Sequence, residues 1–178
     1  NYLLKKNYTV EIIKKINDID IIYEDNNIIV VNKPSGLLSI STEKETEKTL
    51  YKYISDYVKK SNKNAKIFVV HRLDKDTSGI VIFSKNQDFK NKLQQNWNDE
   101  VIRNYYAVVE GILEKKSGTI KSYLKENSFH KTYSSNKGEL AITNYEVIKT
   151  NDLYSLLKVN IKTGKKNQIR VHLSDINH

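Results

Sequence analysis

The sequence predicts an α+β domain built around a mainly antiparallel, mixed β-sheet flanked by a few helices. Three observations carry that expectation. Short apolar runs of strand length, such as IIVVNKP and GIVIFSK, recur between turn-forming residues. Only a few stretches show the three-to-four-residue apolar spacing of a helix. The chain also has a single proline, Pro34, and no repeat or low-complexity linker, so its 178 residues are expected to form one domain, 1–178. A chain of this length can bury about 70% of its unfolded surface in one core.

The elements follow in order. Residues 10–16, VEIIKKI, have the spacing of a short helix. IIYED and IIVVNKP read as two strands around Asn26-Asn27, a hairpin signal. KPSGLLS makes a turn through Pro34 and Gly36. TLYKYISDYVKK sets Leu50, Ile54, Tyr57 and Val58 on one face, which predicts a helix over 49–60. A strand at KIFVV, a turn at HRLDKDTSG and a strand at GIVIFSK come next, and a helix over 87–97 carries Phe89, Leu93 and Trp97 at four-residue intervals. Beyond it the chain is mostly β. VIRNYYAVVEG alternates Val101, Arg103, Tyr105, Ala107 and Val109 on one face, and GTIKSYL, ELAITNYEVIKT and DLYSLLKVNIKTG read as further strands. A last helix, 166–176, turns Ile169, Leu173 and Ile176 inward.

Lysine and arginine outnumber aspartate and glutamate by 30 to 21, for a formal charge of +9, and twelve tyrosines are interleaved with the cations. Basic residues mixed with aromatics suit a polyanion whose bases can stack, which favours RNA over a membrane surface. Lysine and asparagine are abundant everywhere, however, so charge alone does not decide the partner. Cysteine is absent, which removes disulfides, thiolate nucleophiles and cysteine-held zinc and fits a reducing compartment. No apolar run is long enough to span a bilayer and NYLLKKNYTVEIIKK has no signal-peptide core, so a cytoplasmic, monomeric protein is expected.

The turn HRLDKDTSG, residues 71–79, places Asp74 and Asp76 among His71, Arg72 and Lys75. Such residues favour solvated turns. Between two buried strands, though, apolar neighbours such as Val69, Val70, Leu73 and Ile80 would exclude water, and a carboxylate kept ionised there by a cation is a candidate nucleophile or base. DKDTS resembles the D-x-D-x-T element of haloacid-dehalogenase-like phosphatases, but His71-Arg72 interrupt the preceding strand and no later acidic pair supplies a metal site.

A second resemblance covers the chain from about Asp20 to its end. HRLDKDTSG is similar to the H-R-L-D-x-x-T-S-G motif of the RluA-type pseudouridine synthases. IIYEDNNIIVVNKPSGLLS resembles their N-terminal strand pair, VIRNYYAVVEG their K-x-Y-x-A-x-V-x-G segment, AITNYEV their A-x-T-x-Y-x-V strand, and TGKKNQIRVHL their T-G-R-x-H-Q-I-R-x-H-L element. Five segments in the same order make the resemblance specific. Arg103 stands where the family has Lys, Lys165 where it has Arg, Asn167 where it has His, and Asn177-His178 where G-H-P is usual. The segment ends short of the family's further C-terminal part and shows no recognisable S4 RNA-binding domain; a truncated C-terminus is one expectation.

The resemblance implies the pseudouridine synthase catalytic-domain fold and the isomerisation of uridine to pseudouridine in ribosomal or transfer RNA, without cofactor or metal. The family's catalytic aspartate falls on Asp74, which either attacks C1′ of the ribose or takes the C2′ proton to give a glycal. Cleavage at an anomeric carbon develops positive charge on the sugar, which a carboxylate stabilises. By the same route Arg170 pairs with Asp74, Tyr105 stacks on the uracil, and Arg72 fills the space left when the uridine flips out. His71 and Thr77 are expected at the RNA side of the turn, shaping it with Asp76 and Ser78, and Lys33 and Lys85 as phosphate contacts. His172 reads as a structural hydrogen-bonding residue, because no second histidine lies at ligand spacing. The alternative, a catalytically silent RNA-binding or ribosome-associated module, would be marked by loss of Asp74, Tyr105 or Arg170, and all three are present.

Overall fold

A computed structural model describes residues 14–178, whose contacts divide into two compact units, one running to Gln95 and the other from Asn96 to His178. Both are α+β, and every pairing between named strands is antiparallel.

The first unit holds a five-stranded sheet in the order β1-β2-β3-β5-β4, formed by β1 (Lys14–Ile16), β2 (Ile19–Glu24), β3 (Ile28–Lys33), β4 (Phe68–Val69) and β5 (Gly79–Ser84). Ile19, Ile21, Ile29, Val31, Val81 and Phe83 alternate onto one face and pack against Leu50, Ile54 and Val58 of α1 (Leu50–Ser61). Thr49 starts that helix, its hydroxyl accepting from the Lys52 amide at 3.2 Å. The helix expected over 10–16 is not borne out where it can be seen: residues 10–13 lie outside the described residues, and Lys14–Ile16 is a strand. Ile16 pairs with Ile19 across Asn17-Asp18, both of which have positive φ (46° and 63°), the backbone that a two-residue hairpin demands. The turn chemistry outweighs the helical spacing.

The helix expected over 87–97 stops earlier. Helix α2 (Gln87–Gln95) ends the first unit, and Trp97 opens a separate short helix, α3 (Trp97–Glu100), in the second. The second unit's sheet runs β6-β10-β9-β7-β8, from β6 (Arg103–Glu110), β7 (Ser117–Glu126), β8 (Thr132–Ser135), β9 (Glu139–Thr150) and β10 (Tyr154–Ile161). The predicted alternation of β6 is observed, with Arg103, Tyr105, Ala107 and Val109 turned inward. Val109, Leu157, Val159 and Ile161 pack with Leu173 of α4 (Gln168–Asp175), and Ile169 and Ile176 lie against the same cluster.

Candidate active site

In the first unit, the loop between β4 and β5 is held by the turn that follows β3. Within residues 73–76, each backbone carbonyl has a donor. The Ser39 hydroxyl donates to the Leu73 carbonyl at 2.6 Å and accepts from the Leu73 amide at 3.1 Å. The Thr77 amide donates to the Asp74 carbonyl at 3.2 Å, closing a turn on that residue. The Lys75 carbonyl accepts from Lys33 Nζ at 2.8 Å and from the Gly36 amide at 3.0 Å, and the Asp76 carbonyl accepts from the Ser35 hydroxyl at 2.8 Å. Gly36 has φ 84°, which an L side chain rarely adopts and which lets its amide face the loop. The Ile82 amide donates to His71 Nε2 at 3.2 Å, and the Gln94 side chain to the Val70 carbonyl at 2.8 Å. The half-buried Asp74 therefore sits on a backbone fixed on both sides.

Lys33 is central to this clamp and was not legible as such. Its side chain has no solvent exposure, and its ammonium donates to the carbonyls of Pro34 (2.9 Å), Leu37 (2.6 Å) and Lys75. Burial pulls its pKa below the ordinary lysine value, opposed by the charges of Asp76 and Asp74. A lysine so placed has no ammonium to offer a phosphate, which corrects the contact expected of it. Lys85 is partly exposed, and its ammonium binds Glu24 Oε1 at 2.5 Å and the Asp25 carbonyl at 2.8 Å. Of the apolar neighbours expected to shield Asp74, Val70 is buried and Leu73 half-buried, but Ile80 is 48% exposed because β5 turns Val81 and Phe83 inward instead. Arg72, Lys75 and Asp76 are exposed and Thr77 is half-buried.

The second unit carries Tyr105 and Arg170. Tyr105 lies opposite Val159 on β10, half-buried against the core. Two residues earlier, Arg103 donates through Nη2 to the Asn98 side chain (2.7 Å) and the Lys162 carbonyl (2.8 Å), while its Nε is buried without a hydrogen-bond partner. Burial lowers its pKa. Gly164 makes room for this guanidinium, since a Cβ there would lie 2.7 Å from Nη1.

TGKKNQIRVHL forms the loop and helix that carry Arg170, and its polar residues are anchors. Thr163 accepts from the Ile142 amide (2.9 Å) and donates to Gln168 Oε1 (2.8 Å), which also accepts from the Lys165 amide (3.0 Å). Gln168 Nε2 donates to the Ile142 carbonyl (3.0 Å) and to Thr143 Oγ1 (2.9 Å). The fully buried His172 joins Thr143 Oγ1 (2.8 Å) to Ser122 Oγ (3.0 Å), and Ser122 joins Ser134, which donates to Asp175. Because Ser134 spends its proton on Asp175, it accepts from Ser122, and the neutral tautomer consistent with this has His172 Nε2 donating to Ser122 and Nδ1 accepting from Thr143. This places His172 in the structural role expected of it. Arg170 itself is exposed, and its Nη2 donates to the side chain of Asn167, whose φ of 55° starts the helix.

Burial pushes the His172 imidazole below the ordinary histidine range, with the Asp175 charge opposing. Unfolded, the ring protonates near pH ~6.5, and folded it does so only at lower pH, so stability is complete above that value and declines as pH falls below it. His172→Gln should flatten the slope of unfolding free energy against pH below about pH 6.5, measured by urea denaturation; an unchanged slope would remove His172 as its source.

Among the described residues, no group of three or more histidine, aspartate or glutamate side chains is placed to hold a metal ion, and no helix is long and apolar enough to cross a membrane. A family model described as RNA pseudouridylate synthase matches residues 27–175. The chain is 33% identical over 180 residues to an uncharacterized RNA pseudouridine synthase, YhcT, of Bacillus subtilis, covering 98% of this chain and 60% of that protein. It is 37% identical over 168 residues to the ribosomal large subunit pseudouridine synthase D of Borreliella burgdorferi, covering 89% of this chain and 52% of that one. The chain thus spans between half and two thirds of the length of these relatives. Among solved structures, human RNA pseudouridylate synthase domain containing 4 superposes with a TM-score of 0.72 at 24% identity, over 87% of this chain and 63% of that one, a likeness of fold.

Proposed function

The chain belongs to the RNA pseudouridylate synthase family, and from that premise we propose that it isomerises uridine to pseudouridine in ribosomal or transfer RNA, with Asp74 as the group that attacks the ribose or removes its C2′ proton. The observation that carries the reading is the Asp74 loop. Donors on all four carbonyls of residues 73–76 fix the backbone that carries one carboxylate, and a reaction at a single anomeric carbon requires such a fixed base for its reacting group. In this reading the N1–C1′ bond breaks, the uracil turns, and C5 bonds to C1′ while its proton is lost and N1 gains one, so the product is an isomer and no oxidant or reductant is consumed. Tyr105 is proposed to stack on the uracil and Arg170 to keep Asp74 ionised. The test is pseudouridine mapping of total RNA with and without the gene. Loss of one or more sites on deletion supports the proposal, and an unchanged map overturns it.

Arg72, exposed on the Asp74 loop, is proposed to fill the stack vacated by the flipped uridine. Arg72→Ala should then slow modification of a uridine in a paired stem by about tenfold or more and of one in an open loop far less, because unstacking a paired base costs a few kcal/mol. Equal defects on both substrates, in single-turnover assays, would count against insertion.

A further inference from the structure

The hairpin joining β7 to β8 is built to display one aromatic ring. The Asn127 carboxamide oxygen accepts from the amides of Phe129 and Lys131, both at 3.0 Å; the Asn127 amide donates to the Lys131 carbonyl and the His130 amide to the Asn127 carbonyl, again at 3.0 Å. His130 adopts φ 60° to complete the tip. Glu126 then ties it down, accepting from Lys166 Nζ at 2.9 Å and meeting His130 Nδ1 at 2.6 Å, while Lys166 also donates to the His130 carbonyl at 3.2 Å. Lys166 belongs to the loop that leads into the Arg170 helix, so the tip is fastened to a segment of the family motif.

On this fixed tip Phe129 is 88% exposed, the highest value among the large apolar side chains of the described residues. Lys125 and Lys131 flank it in the open, and the charge of Glu126 is occupied by Lys166, so the surroundings of the ring are cationic. Tyr123 and Tyr133 are also exposed on the strands behind the tip, but rings interleaved with Lys125 and Lys131 leave less contiguous apolar surface than a protein interface or a bilayer needs. The arrangement matches a polyanion that carries flat π faces. Resting on the reading that the substrate is RNA, we propose that Phe129 stacks on an unpaired base of the bound RNA, outside the reacting uridine, while Lys125 and Lys131 contact the flanking phosphates.

The probes are a 12-nucleotide oligouridylate with a central 2-aminopurine and a blunt RNA duplex of G·C pairs. Phe129→Ala should weaken binding of the single strand by about tenfold, the scale of one lost base–aromatic stack, and abolish the quenching of 2-aminopurine on binding. Its salt dependence should stay that of the parent, whereas Lys131→Ala should reduce the slope of log affinity against log salt by about 0.7, one phosphate contact on a single strand. Phe129→Tyr should bind as the parent does, which separates stacking from any effect on folding. Parental affinity in Phe129→Ala, equal losses on single strand and duplex, no binding by the parent chain, or a change in oligomeric state with RNA affinity intact would each overturn the proposal, the last in favour of a protein contact. Failure of the enzymatic reading is separate: it shows as an unchanged pseudouridine map of cellular RNA, whichever way the oligonucleotide binds.

Discussion

Asp74→Asn should abolish pseudouridine formation, by at least roughly 10⁴-fold in single-turnover rate, while RNA affinity stays within about threefold of the parent. The first figure follows from the role proposed for the group, because removing a side chain that must itself react leaves only what positioning and binding contribute. The second follows from where affinity resides, since phosphate contacts supply most of it and Asp74 offers none. The substitution is isosteric, and the carbonyls of residues 73–76 keep their donors, so the loop should hold its shape. Turnover near the parental rate would remove Asp74 from the chemistry. The same variant tests the role proposed for Arg170. Arg170 is exposed and Asp74 half-buried, so Arg170→Met should cost about 1 kcal/mol of stability or less, and less again when Asp74 is already Asn. Simple addition of the two losses would assign the role proposed for Arg170 to another cation.

Much of the architecture is legible in the sequence because local pattern and tertiary packing agree. Leu50, Ile54 and Val58 predict the buried stripe of α1, and the alternation from Arg103 to Val109 predicts the inward face of β6. Where the two disagree, packing and turn chemistry decide. VEIIKKI has helical spacing, yet Asn17-Asp18 closes a hairpin on its last residues. KTYSS has no apolar alternation, and it becomes β8 because an edge strand of four residues needs only the backbone of β7 as its partner. Of the candidate site, the Asp74 loop and the Arg170 helix can be found by motif, but the side chains that hold them cannot be ranked. Ser35, Ser39, Thr163 and Gln168 act through carbonyls and amides distant in sequence, and nothing local to a serine or glutamine announces such partners.

Lys33 and Lys85 show the same limit most sharply, and they give the second large effect. Both are lysines near the end of a strand, and sequence offers no ground for treating them differently. The structure places one in a cage of three carbonyls without solvent and the other in a partly exposed pair with Glu24. Lys33→Met keeps the length of the side chain and removes its donors, leaving the Pro34 and Leu37 carbonyls in need of partners and the Lys75 carbonyl with the Gly36 amide. Each orphaned buried acceptor costs about 1–3 kcal/mol, and relief from burying a cation offsets part of this, for a net loss of about 2–4 kcal/mol. The loop carrying Asp74 loses its central tie as well. Misplacing a reacting group by about 1 Å can cost 10²-fold, so the single-turnover rate should fall by about that factor with RNA affinity little changed. Lys85→Met, which breaks a partly exposed ion pair, should cost only about 1 kcal/mol and leave the rate intact. Urea unfolding and rate measurements on the two variants read both effects. If Lys33→Met weakens RNA binding and spares the rate, its ammonium serves phosphate after all, and the clamp is not what fixes Asp74.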